Sequence, residues 1–118
     1  MANLTETVKR GDFKNEKHVP EIEASFDGGV ADVVVTVGKE IEHPNTLEHH
    51  ISWIKVFFKA EGAAAPVEVG SYEFHAHGEG DVFTVPSVHT TFKSEKKGTV
   101  YALSMCNIHG LWESSLEI

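Results

Sequence analysis

The chain has 118 residues, of which 10 are Lys or Arg and 18 are Asp or Glu, so its net charge is −8. This length suits one domain with a single core, and we expect residues 1–118 to form one domain. An acidic chain without a basic cluster is a poor ligand for nucleic acid or for an anionic membrane. The single Cys excludes an internal disulfide, whereas eight His are many for this length.

The first fifteen residues are polar and include Lys9, Arg10 and Lys14. They contain no apolar stretch of the kind that a signal peptide needs, and no later run approaches the length of a transmembrane helix. We therefore expect a cytoplasmic protein that binds neither membranes nor nucleic acid.

Most of the chain has the pattern of short strands separated by turns. A single helical turn is predicted at 44–48, where Pro44 stands at a favourable first helical position. About seven strands at this spacing predict an all-β fold, an immunoglobulin-like antiparallel β-sandwich, with a closed barrel as the alternative. The predicted strands cover 31–38, 51–60, 67–76, 82–85, 90–93, 99–106 and 112–118.

The predicted strand 51–60 has two different apolar faces. One carries Ile54, Val56 and Phe58, while the other places Trp53 and Phe57 among lysines. The second face is too apolar for a solvent-exposed face, which indicates either a subunit interface or coverage by another sheet or loop.

The histidines are concentrated in loops at the ends of predicted strands. Cys106 and His109, with two residues between them, can turn both side chains toward one metal ion. One thiolate among several imidazoles favours redox-active iron or copper over a structural zinc site. Blue-copper sites normally add a Met shortly after such a His, and none follows here, which counts against copper. The other histidine-bearing positions of these loops are His18, His43, His49 and His50.

Three segments together resemble the signature segments of superoxide reductases, in particular the single-domain form called neelaredoxin. They occur in matching order and are Glu16-Lys17-His18-Val19-Pro20, His43-Pro44-Asn45-Thr46-Leu47-Glu48-His49-His50 and Cys106-Asn107-Ile108-His109-Gly110-Leu111-Trp112. The chain also resembles the second iron domain of the two-domain relatives, the desulfoferrodoxins. It lacks their N-terminal four-cysteine module, so that additional iron centre is excluded here.

The resemblance implies an immunoglobulin-like β-sandwich with one mononuclear non-haem iron per chain, cycling between Fe²⁺ and Fe³⁺. It further implies that Glu16 and Lys17 are catalytic residues and that Glu16 binds the iron in the ferric state only. The ligands implied by motif position are four equatorial histidines and one axial thiolate: His18, His43, His49, His109 and Cys106.

The activity that the resemblance implies is one-electron reduction of superoxide, with two protons, to hydrogen peroxide, a detoxifying reaction under oxidative stress. A cation such as Lys17 beside the iron suits this substrate, because superoxide is an anion and the protein is acidic. The resemblance also implies a rubredoxin-like electron donor and a homotetramer. The alternatives are a mononuclear metal protein that transfers electrons without catalytic turnover, and a binding module with incidental histidines.

The remaining histidines have no predicted ligand role. His50 is expected to pack or hydrogen-bond beside the site, and His75 and His77, which share a strand face, are expected at surface or interface positions. His89 carries no usable signal. Glu48 is expected either to orient His49, as carboxylates beside metal-bound histidines often do, or to be solvated.

Overall fold

The computed structural model describes residues 2–11 and 17–118, and seven strands account for most of them. Two short 3₁₀ turns, Leu4–Thr7 and Glu79–Asp81, are the helical elements of these ranges, and neither could span a membrane. The strands are β1 (Pro20–Asp27), β2 (Val30–Val37), β3 (Ile51–Ala60), β4 (Val67–Glu73), β5 (Ser87–Lys93), β6 (Gly98–Cys106) and β7 (Gly110–Glu117).

The strands form two antiparallel sheets. One has three strands in the order β1-β2-β5, and the other has four in the order β4-β3-β6-β7. Within the described ranges no strand of one sheet pairs with a strand of the other, so the sandwich is confirmed and the closed barrel is wrong. The long connections from β2 to β3 and from β4 to β5 each pass from one sheet to the other.

The core lies between the sheets and is formed by alternate residues of the central strands. Val33 and Val35 of β2 face Ile54 and Val56 of β3, and all four side chains are fully buried. The opposite face of β3 is half-buried, and there the Lys55 ammonium lies 5.6 Å from the centre of the Trp53 ring. Because cations favour the face of an indole ring, this lysine covers part of the apolar surface that its strand exposes.

Two predicted elements are wrong, and one strand was not predicted. Residues 82–85 form no strand, and only an isolated bridge joins Phe83 to His77. Residues 44–48 form no helical turn, and residues 46–49 are bends. Thr46 pairs with His49 instead: the Thr46 N–H donates to the His49 carbonyl, and the Thr46 hydroxyl accepts the His49 N–H. Strand β1 was not predicted, although Ile22, Ala24 and Phe26 alternate with polar residues and pack, partly buried, against the core.

The β3–β6–β7 register fixes where the histidine-bearing loops meet. Ile51 at the start of β3 pairs with Cys106 at the end of β6, and Cys106 pairs with Gly110 at the start of β7. Gly110 has a φ of 83°, a left-handed conformation that glycine adopts without a steric penalty, and it closes the short turn after Cys106. The loops that end at His49 and begin at Cys106 therefore share one end of the sandwich.

Candidate metal centre

Four imidazole rings stand in a closed square at this end of the molecule. The distances between neighbouring ring centres are 4.9 Å for His18–His43, 4.8 Å for His43–His49, 5.0 Å for His49–His109 and 4.8 Å for His109–His18. Neighbouring rings meet edge-on, at interplanar angles from 61° to 80°. Residues from three separate parts of the chain therefore surround one small space.

The Cys106 thiol, which is fully buried, lies against this square. The backbone N–H of His109 donates to its Sγ at 3.3 Å, and His109 Nδ1 lies 3.8 Å from the same sulfur. His109 Nδ1 is also 3.1 Å from Nε2 of His18. Donor atoms of four of the five predicted ligands, His18, His49, Cys106 and His109, all lie within 4.8 Å of one another.

His43, the fifth predicted ligand, completes the square through its contacts with His18 and His49. Its Nδ1–H donates to the Pro44 carbonyl at 2.7 Å, which leaves Nε2 as the ring atom able to bind a cation. A backbone carbonyl fixing one ring nitrogen is the usual support of a metal-bound histidine. The structure therefore brings together the five side chains that the family resemblance implies as ligands.

Two of these rings have buried nitrogens that the protein itself does not satisfy. Nε2 of His43 and Nε2 of His49 have no hydrogen-bond partner among the described residues. Leaving such a buried polar atom unpaired costs about 1–3 kcal/mol, and a bound cation would offset that cost. The donor set therefore fits a metal ion, and its mixture of imidazoles with one thiolate suits iron.

The environment of His43 and His49 favours the neutral imidazole, the form that metal ligation requires. Burial lowers the pKa of His43 to about 4. Burial is also the main cause that lowers the pKa of His49, followed by the charges of His109 and Lys17. Lys17 contributes to the lowered pKa of both rings, so its ammonium lies within electrostatic range of the site. Glu16, the other predicted catalytic residue, lies outside the described residues.

Trp112 packs against His18, a contact that the sequence did not indicate. Its ring, 5% exposed, stacks on the His18 imidazole with centres 4.7 Å apart and an angle of 10°. The Lys9 ammonium lies 5.4 Å from the centre of the same indole and donates to the His109 carbonyl at 3.1 Å. The segment around Lys9 thus braces the loop that holds two of the five donors. The sequence signal that could have indicated the Trp112 contact was the position of Trp112 at the end of the Cys106–Trp112 segment.

Asn107 links the two ligand-bearing loops. Its side-chain Oδ1 accepts the His50 N–H at 2.8 Å, its Nδ2 donates to the Glu48 carbonyl at 2.9 Å, and its backbone N–H donates to the His50 carbonyl at 3.2 Å. Glu48 is exposed, and its described contact with Asn107 is made by its backbone carbonyl. Sequence reasoning placed Asn107 between two ligands but assigned it no role.

The histidines without a predicted ligand role have different environments. His75 is exposed, and His89 is an exposed partner of Asp32 at 2.9 Å. The surface position predicted for His77 is wrong: it is 6% exposed and stacks on His50 with ring centres 3.6 Å apart. His50 packs beside the site, as predicted.

Comparisons with known proteins match nearly the whole chain to one protein family. The family model described as Desulfoferrodoxin matches residues 10–115. The superoxide reductase of Pyrococcus horikoshii is 52% identical over 98% of both chains, and the neelaredoxin of Megalodesulfovibrio gigas is 49% identical over 95% of this chain and 94% of its own. A crystal structure of a superoxide reductase in the oxidised state matches with a TM-score of 0.92 at 49% identity, covering 98% of this chain and 99% of that one. The similarity spans the sandwich as well as the ligand loops.

Proposed function

The chain belongs to the desulfoferrodoxin family, and we propose that it works as a superoxide reductase of the single-domain, neelaredoxin type. The reaction is the reduction of superoxide by one electron, with two protons, to hydrogen peroxide. The observation that carries the proposal is the square of four imidazoles beside one buried thiol, because this donor set fits a single iron ion.

We assign His18, His43, His49, His109 and Cys106 as the residues that hold the iron. Iron held there would supply the one electron that the reaction needs, and a Cys106 thiolate ligand would favour that transfer by donating electron density. The backbone N–H of His109 stabilises the thiolate by donating to its sulfur. The Pro44 carbonyl keeps the His43 imidazole in one orientation.

Lys17 is assigned to attract the anionic substrate. The chain has a net charge of −8, so its overall field repels superoxide, and a cation near the imidazoles offsets that repulsion locally. The influence of Lys17 on His43 and His49 supports this position. For Glu16 we propose iron binding in the ferric state, since a hard carboxylate prefers the more highly charged ion.

We further propose that the 118 residues act as one domain in the cytoplasm, that a small rubredoxin-like iron protein donates the electron, and that the chain forms a homotetramer. The matching lengths of the relatives support the single domain. The half-buried Trp53 and Phe57 face of β3 supports contact between copies. Analytical ultracentrifugation tests the tetramer, and stopped-flow reduction by rubredoxin tests the donor.

The function is tested on protein expressed with iron available. We expect about one iron per chain, a visible band from thiolate-to-ferric charge transfer, and peroxide formed from superoxide without release of dioxygen. Protein that contains zinc or no metal under these conditions would contradict the proposal. Iron that is reduced by the donor but not oxidised by superoxide would favour an electron carrier instead.

A further inference from the structure

We propose that His77 is a positioning residue for the metal centre: it contacts the 43–50 loop at two points and holds His43 and His49 in place. This inference rests on the proposed metal site. His77 lies in the connection between β4 and β5, far along the chain from that loop, and is 6% exposed. A buried polar side chain with specific partners on another loop fixes how the two segments pack.

Both ring nitrogens of His77 are used within the protein. Its Nε2 lies 2.9 Å from the Phe74 carbonyl and its Nδ1 lies 2.6 Å from Oδ1 of Asn45. Both partners are acceptors, so the ring donates to both of them when each nitrogen carries a proton. Its backbone N–H donates to the Glu79 carboxylate at 2.5 Å. With both nitrogens engaged in this way, His77 acts as a support rather than as an additional metal ligand.

The first contact point is Asn45, two residues after His43. The Asn45 Nδ2 donates to the Thr84 carbonyl at 2.8 Å, which directs its Oδ1 toward His77. The β4–β5 connection is itself held together, since Thr84 N–H donates to the Ala76 carbonyl at 2.8 Å. Asn45 is therefore held from two sides of one ordered connection.

The second contact point is His50, the residue after His49. Its ring lies parallel to that of His77, with centres 3.6 Å apart and an angle of 7°. His50 Nδ1–H donates to the Thr46 carbonyl at 2.8 Å, so the stacked ring is also tied to its own loop. His77 thus holds the loop close to each of its two ligands.

This support matters because the loop has no regular structure of its own. Residues 46–49 are bends, and their described hydrogen bonds are local apart from the one that Asn107 donates to the Glu48 carbonyl. Preorganised donors bind a metal more tightly, and loss of an outer partner of a ligand typically reduces metal affinity about 10–100-fold. By restricting the 43–50 loop, His77 reduces the conformational entropy that the loop would otherwise lose when the metal binds.

The test compares the iron-loaded protein with three variants: His77→Ala, His77→Phe, which retains a flat ring but no ring nitrogens, and the matched control His75→Ala on the exposed neighbour. Transfer of Fe²⁺ to an excess of a ferrous chelator is followed without oxygen. We expect His77→Ala to release iron about tenfold faster than wild type, His77→Phe to fall between, and His75→Ala to match wild type.

The melting temperature of each metal-free variant is measured in parallel. A role in general folding alone would lower that temperature and leave the iron release rate unchanged, which would overturn the inference. Asn45→Ala serves as a second variant if His77→Ala does not fold, and it too must release iron faster. Failure of the wild-type protein to bind iron would contradict the proposed function itself, so the two failures are distinguishable.

Discussion

At the scale of single residues, the five proposed donors differ in their contact with water. Cys106 is fully buried and His43 is 4% exposed, whereas His49 is half-buried and His109 is exposed. The sulfur is therefore on the protected side of the site, and the exposed rings are on the side that solutes can approach. This arrangement separates the group that sets the electronic character of the metal from the surface that meets the substrate.

Replacement of Cys106 by Ser is expected to remove the visible charge-transfer band and most of the superoxide reductase activity. Serine has nearly the same shape, but its hydroxyl is neither a thiolate nor a comparable electron donor. Absorption spectroscopy and a superoxide assay measure both effects, and metal analysis distinguishes changed iron from lost iron. A variant that binds iron and retains the band would show that Cys106 is not a ligand.

Replacement of Lys17 by Ala is expected to lower the second-order rate constant with superoxide by about three- to tenfold at low salt and to flatten its dependence on ionic strength. Lys17→Arg should retain both, since it keeps the charge. Lys55→Ala, which removes an equal charge on β3, is the matched control. An unchanged rate and salt slope in Lys17→Ala would contradict the steering role. Pulse radiolysis at several salt concentrations provides the measurement.

At the scale of elements, regular alternation of apolar and polar residues predicted the strands whose apolar faces pack in the core. Strand β3 has the predicted bounds, because Ile54, Val56 and Phe58 alternate with half-exposed residues. The ligand loops were found through their motifs. The contact between His77 and Asn45 was not predicted, because the two residues are 32 positions apart and form no local sequence motif. Nor was β1, whose apolar residues alternate with Glu and Asp residues of low strand propensity.

Asn107→Ala is expected to loosen the junction between the two ligand loops. The substitution removes two side-chain hydrogen bonds, to His50 N–H and to the Glu48 carbonyl. We expect a loss of about 1–2 kcal/mol in the free energy of unfolding and about tenfold weaker iron binding. Urea denaturation and iron competition with a chelator measure these quantities. Asn3→Ala, on the N-terminal 3₁₀ turn, is the control, and equal iron affinity in both variants would contradict the linking role.

At the scale of the whole molecule, the proposed ligands connect parts of the chain that the sheets hold separately. His18 lies just before β1 of the three-stranded sheet, while Cys106 and His109 border β6 and β7 of the four-stranded sheet. A metal bound by all of them therefore links the two layers at one end of the sandwich.

Removal of the metal is expected to lower the stability of the entire sandwich. A ligand that binds only the folded state stabilises it by about 2.7 kcal/mol when its free concentration is 100 times Kd. Differential scanning calorimetry of the iron-loaded and chelator-treated protein should show the lower melting temperature in the second, restored when iron is added back. Identical melting curves would show that the metal does not bridge the layers.

The distance of 91 positions along the chain between His18 and His109 has a consequence for biosynthesis. As the chain leaves the ribosome, His18 emerges long before its two partners in the last ligand loop, so an incomplete chain offers at most three of the four imidazoles and no thiolate. Such a partial set binds a metal weakly and without the geometry of the finished square. Binding of iron by the full donor set therefore requires that the residues from Cys106 to His109 have been synthesised.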